Sequence, residues 1–496
     1  MGAVTYIPPV PVVMPAPSRV QQARRASETA AVFAKHLGPV MARRAAGRQV
    51  PPAEVGRRLR HAFEALGSTY VKFGQLIGSS PGAFGQEVSD EFRTCLDTGP
   101  AVPFEHVKAE VERAIGAPLS SVFEFFDGEA LASASIAVVH RARLRDGRDV
   151  AVKVLRPGIV ERVAGDLDVM EPLFKRLALA GVPIAGPLFR FLRGFRTQVC
   201  EELDLRNEAR TMAYFRHLLL DSGLDRLVIP EPHAELSGDN VLVMEYLDGV
   251  AIDDVDAIAE LGGDPAGLMQ DMLRAWFLTG LRDAMFHGDI HAGNLMLLRD
   301  GRAGIIDWGI VGRLDGPTHH LFRRFVEAIL GDAAAWPEIV AFLQEMMPGP
   351  MFGPGDGTSD GSDGAGLADS EREEIEAILT RPFGEVDLTG AFKGPGGGKP
   401  AKTKAERRQR RARLKEFRKE ILGSDFVDTG FAQANFLLFK QLLYFERYGK
   451  LYLADQALMG DRPWLEKVLA ESAPPLIGDS EEASVSDNRT PVEELA

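Results

Sequence analysis

The spacing of apolar and polar residues changes period several times along the chain. From about residue 26 to about 120 apolar positions recur at helical intervals, as in Leu59, Phe63, Leu66 and Val71, between Arg-rich polar faces. Between Ser121 and Pro157 the period shortens. Val122, Phe125 and Phe126 lead into β-branched runs at Ser135–Leu144 and Asp149–Leu155, separated by Arg145-Asp146-Gly147-Arg148, a hairpin signal. Helical spacing returns from Gly158 to about Leu220. Two further strands are predicted at Leu227–Pro230 and Val241–Leu247. Residues 255–285 read as helix, Leu295–Leu298 and Ala303–Ile306 flank an Asp300-Gly301 turn, and helices resume from about 317. The order predicts an α+β chain: helices, a small sheet with an inserted helical stretch, then a mostly helical half.

Length and composition refine this picture. At 496 residues the chain exceeds one compact core, so two lobes with linkers are expected. Residues 1–25 read as a disordered tail, because prolines break their valine-rich run and no basic n-region precedes it. The divisions that follow are a helical extension over 26–120, a sheet-bearing lobe over 121–250 and a helical lobe over 251–470. Gly-rich insertions fall near 353–369 and 394–404, and an acidic tail spans 471–496. A net charge of −14 argues against a general nucleic-acid binder. The two cysteines, Cys95 and Cys200, form no disulfide framework, and no apolar run reaches the length of a membrane span. A cytoplasmic protein is expected. The run 402–419 holds ten Lys/Arg and could meet anionic lipid headgroups, giving a peripheral membrane contact, or remain a solvated charged stretch.

Four segments carry chemistry. Lys153, in Ala151-Val152-Lys153, stands among apolar strand neighbours, where an ammonium is costly unless it meets an anion such as nucleotide phosphates. In Phe286–Asn294, Asp289 and Asn294 have the Asp-x₄-Asn spacing by which a kinase loop places a proton acceptor and a Mg²⁺ ligand. His287 and His291 lack the i, i+4 helical placement of a metal pair and read as hydrogen-bonding to the backbone. Asp307 leaves a buried strand for a Gly-containing turn thirteen residues after Asn294, completing a hard-oxygen set for Mg²⁺. Glu202, Asp204 and Glu208 fall on one predicted helix, where Asp204 and Glu208 share a face and a carboxylate could pair with Lys153. Gly394–Lys399 superficially resembles a phosphate loop, but Pro400 stands where Ser or Thr should follow and no strand precedes it.

Taken together, these motifs resemble the AarF/UbiB atypical kinase family, from about Leu59 to about Leu330 and more weakly to about Leu453. Lys72-Phe73-Gly74-Gln75 is similar to the family's Lys-x-Gly-Gln motif, and Ala132, Ser133, Ala134 and Ser135 to its alanine-rich loop. Glu202-Leu203-Asp204 resembles its Glu-x-Asp motif, with Glu208 as the further helix acid. Glu245, Tyr246 and Leu247 resemble the hinge whose backbone binds adenine. Ile290 and Ala292 replace prolines common in the family loop, Trp308 replaces Phe, and Val138 replaces Gln. The resemblance implies an atypical protein-kinase-like bilobal fold with an N-terminal helical extension and a mostly helical C-lobe. It implies ATP and Mg²⁺ as cofactors, with Lys153 on the phosphates, Asn294 and Asp307 on the metal, and Asp289 as base or water-positioner. Lys72, Gln75 and Asp204 would be regulatory. It further implies restrained kinase or ATPase activity linked to an isoprenoid lipid or quinone. Two alternatives remain at this level: an aminoglycoside- or choline-kinase-like phosphotransferase, which shares the His-Gly-Asp loop but lacks Lys-x-Gly-Gln, and a non-catalytic nucleotide-gated scaffold.

Overall fold

The computed structural model describes residues 6–78, 84–94, 101–179, 185–339, 381–385 and 429–472. The insertions near 353–369 and 394–404, the basic run 402–419 and the end from 473 lie outside the described residues.

The extension is built from α1 (Arg19–Ala45), α2 (Pro52–Leu66), α3 (Ser68–Gly78) and α4 (Gln86–Arg93). Ser18 opens α1 with a capping box, its hydroxyl accepting from the Gln21 N–H while the Gln21 side chain accepts from the Ser18 N–H. Helix α3 is buried on almost every side, as expected of a helix apolar all round, and Lys72 and Gln75, three residues apart, form its less buried strip. Gly74 has a packing reason: a Cβ there would stand 3.0 Å from the Phe92 ring of α4 and 3.3 Å from Phe63 of α2. Phe73 packs on Phe174 and Phe195 at centroid distances of 5.9 and 5.1 Å, so the extension shares one core with the helices that carry the site acids.

The first lobe holds α5 (Phe104–Ile115) and an antiparallel sheet in the order β1–β2–β3–β5, with β1 at Phe123–Ser133, β2 at Ala137–Leu144, β3 at Asp149–Leu155 and β5 at Val241–Glu245. Gly147, at φ 90°, closes the β2–β3 hairpin. Side chains alternate across β3. Val150, Val152 and Val154 enter a small core with Val107 and Val111 of α5, while Ala151, Lys153 and Leu155 take the opposite face. A one-residue slip would place Lys153 in that core, so the register that buries the valines also aims the lysine.

Helices α6 (Ile159–Leu179), α7 (Ala185–Glu202) and α8 (Leu205–Asp221) follow β3. Arg25 of α1 reaches Asp166 of α6 at 2.5 Å and donates to the Leu66 carbonyl at 2.6 Å, tying three helices at one buried point. The second lobe is mostly helical: α9 (Val255–Leu261), α10 (Pro265–Arg282), α11 (Gly316–Leu330), α12 (Thr429–Tyr452) and α13 (Arg462–Glu471). It encloses two small sheets. One runs β4 (Leu227–Val228), β9 (Ala303–Ile305), β8 (Leu295–Leu298), β6 (Gly249–Ala251). The other is the ribbon of β7 (Met285–His287) and β10 (Val311–Arg313). This is the α+β, bilobal, helix-extended architecture that the sequence predicts.

Three local expectations differ. The N-terminal segment is not a free tail from Tyr6 onward: the Asn207 side chain accepts from Val10 N–H (3.0 Å) and donates to its carbonyl (2.9 Å), and Val12 N–H donates to Cys200 O. Prolines prevent helix there but not extended docking. Glu202, Asp204 and Glu208 do not share one helix. Asp204 adopts extended dihedrals and caps α8 by accepting from the Arg206 N–H, so α7 and α8 are separate. Ala132 and Ser133 belong to β1, and only Ala134 and Ser135 lie in the turn to β2.

Candidate active site

Lys153 emerges from β3 and donates to both carboxylate oxygens of Glu208 on α8 at 2.9 Å, and to Asp307 Oδ2 at 2.9 Å. The pairing selects Glu208, not Glu202, as the acid that orients Lys153. Burial opposes charging the ammonium, but Asp307 and Glu208 outweigh it and hold Lys153 well above the usual lysine range. Burial pushes the Glu208 carboxyl up. Burial also opposes ionising Asp307, yet Lys153 and the Gly309 N–H, which donates to Oδ1 at 3.0 Å, hold that carboxyl far below the usual range. Trp308 contributes through its backbone and its ring. Its N–H donates to Glu208 Oε1 at 3.3 Å, and its ring lies 4.6 Å from Phe215 of α8 and 4.5 Å from His287.

The loop between β7 and β8 carries Asp289 and Asn294. His287 Nε2 lies 2.7 Å from the Asp307 carbonyl and its Nδ1 accepts from Asp289 N–H at 3.1 Å; burial holds the ring below the usual histidine range, in line with a neutral tautomer that donates from Nε2. One imidazole thus fixes the spacing of the two acidic loops. His291 Nδ1 accepts from the Gly293 N–H. Both histidines bond the backbone, as their spacing suggests. Asn294 donates its amide to the Asp289 carbonyl at 2.9 Å, which leaves its side-chain oxygen as the donor available to a cation.

The donor set fits Mg²⁺. Asp307 and Asn294 are hard oxygens, and among the described residues no three His, Cys, Asp or Glu gather into an all-protein metal cage. Two protein oxygens supplemented by phosphate and water are what Mg²⁺ tolerates.

Lys72 meets Glu202 at 2.5 Å, with the two side chains 16% and 8% exposed, and lies near enough to Asp307 and Lys440 to act on the charge of each. Gln75 lies one turn on, on the same strip of α3. Asp204 is bound to Arg206 and takes no part in the Lys72 pair. The alanine-rich turn is fastened by Arg156, whose guanidinium donates to Ala134 O at 2.9 Å and to Ser133 Oγ at 2.8 Å. In the hinge, Glu245 N–H donates to Glu231 O, Tyr246 N–H donates to Asp149 O, and Leu247 is buried. Arg156 gave no sequence signal beyond an arginine ahead of Pro157. The other residue missed is Lys440 of α12, 2.5 Å from Asp289 Oδ1. Its one trace in the sequence is a Lys-Gln pair inside the otherwise apolar stretch Phe436–Phe445.

A strand lysine held by a helix carboxylate, facing an Asp–Asn loop and a second Asp after a β-hairpin, is the constellation of the protein-kinase-like class. Residues 94–338 match the family model of the ABC1 atypical kinase-like domain. An aarF domain-containing protein kinase of Arabidopsis thaliana, named as chloroplastic, is 33% identical over 417 residues, covering 82% of this chain and 73% of that protein. A protein of Mycobacterium tuberculosis (strain H37Rv) is 40% identical over 293 residues, 58% of this chain and 60% of the relative. The Aeromonas salmonicida protein named "Probable protein kinase UbiB" is 34% identical over 272 residues, 53% of this chain and 49% of that one. The chain belongs to the ABC1 (AarF/UbiB) atypical kinase-like family. Lys153, Glu208, Asp289, Asn294 and Asp307 lie inside the matched domain; Lys72 and Lys440 lie outside it. Among the described residues no helix is long and apolar enough to cross a membrane.

Proposed function

We propose that this chain binds ATP with Mg²⁺ between its lobes and acts as a restrained atypical kinase or ATPase. The observation that carries the reading is Lys153 held at 2.9 Å from both Glu208 and Asp307. There the ammonium neutralises the carboxylate that this reading assigns to the metal. With the nucleotide present, Lys153 serves the α/β-phosphates, Glu208 keeps its direction, and Asp307 and Asn294 hold the metal, which neutralises phosphate charge. Asp289 accepts the proton of the attacking hydroxyl or orients a water. The backbone of Glu245–Leu247 takes the adenine edge.

The Lys72–Glu202 bridge favours a restrained enzyme over a small-molecule phosphotransferase, because it brings the extension up to the site acids. A role alongside an isoprenoid lipid or quinone rests on the resemblance of Lys72–Gln75 and the His287–Asn294 loop to the AarF/UbiB family. Contact with anionic lipid headgroups from the cytoplasmic side is supported by the ten Lys/Arg of 402–419. Calorimetry with ATP, with and without Mg²⁺, tests the site, and ATP hydrolysis with and without liposomes bearing a quinone-headgroup analogue tests the coupling. Failure to bind ATP under either condition would overturn the reading.

A further inference from the structure

Lys440 stands 151 residues after Asp289 in the chain, yet its ammonium lies 2.5 Å from Asp289 Oδ1, with the two side chains 10% and 18% exposed. Its helix is seated on the Asp289 loop by independent contacts. The Ile290 N–H donates to the next residue, Gln441, at Oε1 (3.1 Å), and Leu437 fills the space beside Gly288. Beyond the site, Tyr452 OH donates to Ile252 O and Arg447 pairs with Asp253, so α12 is held along its length. Lys440 also lies over the Tyr444 ring at 5.8 Å. The ammonium position is therefore built.

Three buried or half-buried ammonium groups converge here, and each is neutralised by the chain itself: Lys72 by Glu202, Lys153 by Glu208 and Asp307, Lys440 by Asp289. If Asp289 receives the acceptor proton, the phosphorus under attack must lie one bond beyond the acceptor oxygen. A cation touching Asp289 is then within reach of the oxygens on that phosphorus, where charge must be stabilised in a site with little water.

We propose that Lys440 is a further catalytic residue that contacts the γ-phosphoryl group of ATP, exchanging part of its bond to Asp289 for that contact. The inference rests on the ATP reading above. In the transfer, the bond from the γ-phosphorus to its bridging oxygen breaks, the acceptor oxygen bonds to that phosphorus, ADP leaves, and the acceptor proton passes to Asp289. Lys440 makes and breaks no covalent bond.

The contact predicts discrimination between nucleotides without reference to turnover. Calorimetry of the full chain with Mg²⁺ and either ATP or ADP should show Lys440→Met weakening ATP by about tenfold or more, with ADP held within about twofold. Lys440→Arg should recover much of the ATP affinity. An equal loss of both nucleotides, or no loss of either, would assign Lys440 a purely structural role and overturn the proposal. Should Lys440→Met not fold, the Asp289→Asn, Lys440→Met pair, which leaves neither partner as an unpaired buried ion, gives the same ATP-against-ADP readout beside Asp289→Asn, which keeps the ammonium. A parent that binds both nucleotides while the ATP-to-ADP ratio stays unmoved defeats only the role of Lys440. A parent that binds neither defeats the ATP reading as well.

Discussion

Lys72 and Glu202 form a 2.5 Å ion pair that joins the helix of the extension to the last residue of the helix ahead of Glu208. Removing one member of a buried pair strands the other, at a cost of about 3–5 kcal/mol when both are fully enclosed. The 16% exposure of Lys72 puts Lys72→Met at the low end, about 3 kcal/mol in urea denaturation. Lys72→Met with Glu202→Leu should recover most of that loss. If the bridge restrains the site, both variants should alter radiolabel incorporation while remaining folded, and unchanged incorporation would make the bridge ordinary structure.

Asp307 receives Lys153 and the Gly309 N–H, and its carboxyl stays ionised far below neutral pH. If Asp307 and Asn294 hold the metal, Asp307→Asn removes the charged one of the two oxygens. The Mg²⁺-dependent part of ATP affinity should fall by about tenfold or more, with affinity in chelator little changed. Equal Mg²⁺ dependence in parent and variant in calorimetry would remove Asp307 from the metal site.

Asp289→Asn should separate chemistry from binding. If Asp289 is the base, turnover should drop by about 10²–10⁴-fold, because a proton acceptor acts on the transition state, while ATP affinity is kept or raised as the Lys440 ammonium is released toward the γ-phosphoryl group. Steady-state hydrolysis beside calorimetry measures both. Turnover within a few-fold of the parent would show that Asp289 is not the base.

Local pattern was enough wherever one element carries the signal. An ammonium among the apolar strand neighbours of Ala151-Val152-Lys153 singled out Lys153, and the Asp-x₄-Asn spacing singled out Asp289 and Asn294, because one short segment holds each signal. The choice between Glu202 and Glu208 stayed open in the sequence because it depends on the helix break at Asp204, a capping event that helical spacing does not reveal. Lys440 was out of reach for a different reason. Its pairing with Asp289 exists only after α12 folds back across the second lobe, and no spacing encodes such a return.

Ala132 sits in β1 opposite Val139, at the end of the strand that runs into the Arg156-fastened turn. Ala132→Gly adds backbone freedom at a stability cost of about 0.5–1 kcal/mol. If this turn meets the phosphates, the variant should shift the balance of ATP and ADP affinity in thermal-shift titrations and raise autophosphorylation from a low baseline. Matching titrations and matching incorporation would mean that the turn does not touch the nucleotide.

Asn207, the residue before Glu208, clasps both backbone groups of Val10 and also donates to the Glu201 carbonyl at 2.8 Å. It is buried, so truncation leaves several polar groups without partners inside the fold, at a cost of about 1–3 kcal/mol. Asn207→Ala should therefore lower overall stability modestly and release the N-terminal segment more than anything else. Hydrogen exchange reads this directly. The Val10 amide donates to Asn207 itself and the Val12 amide to Cys200 O, so both should lose protection, while amides in β3 stay protected to the new global limit. Because Glu208 follows Asn207 on the same helix turn, the same variant should also loosen the acid that directs Lys153, lowering turnover more than ATP affinity. If Val10 and Val12 keep their protection, the segment is held instead by the packing of Tyr6 and Met14 against the core, and Asn207 serves α8 alone.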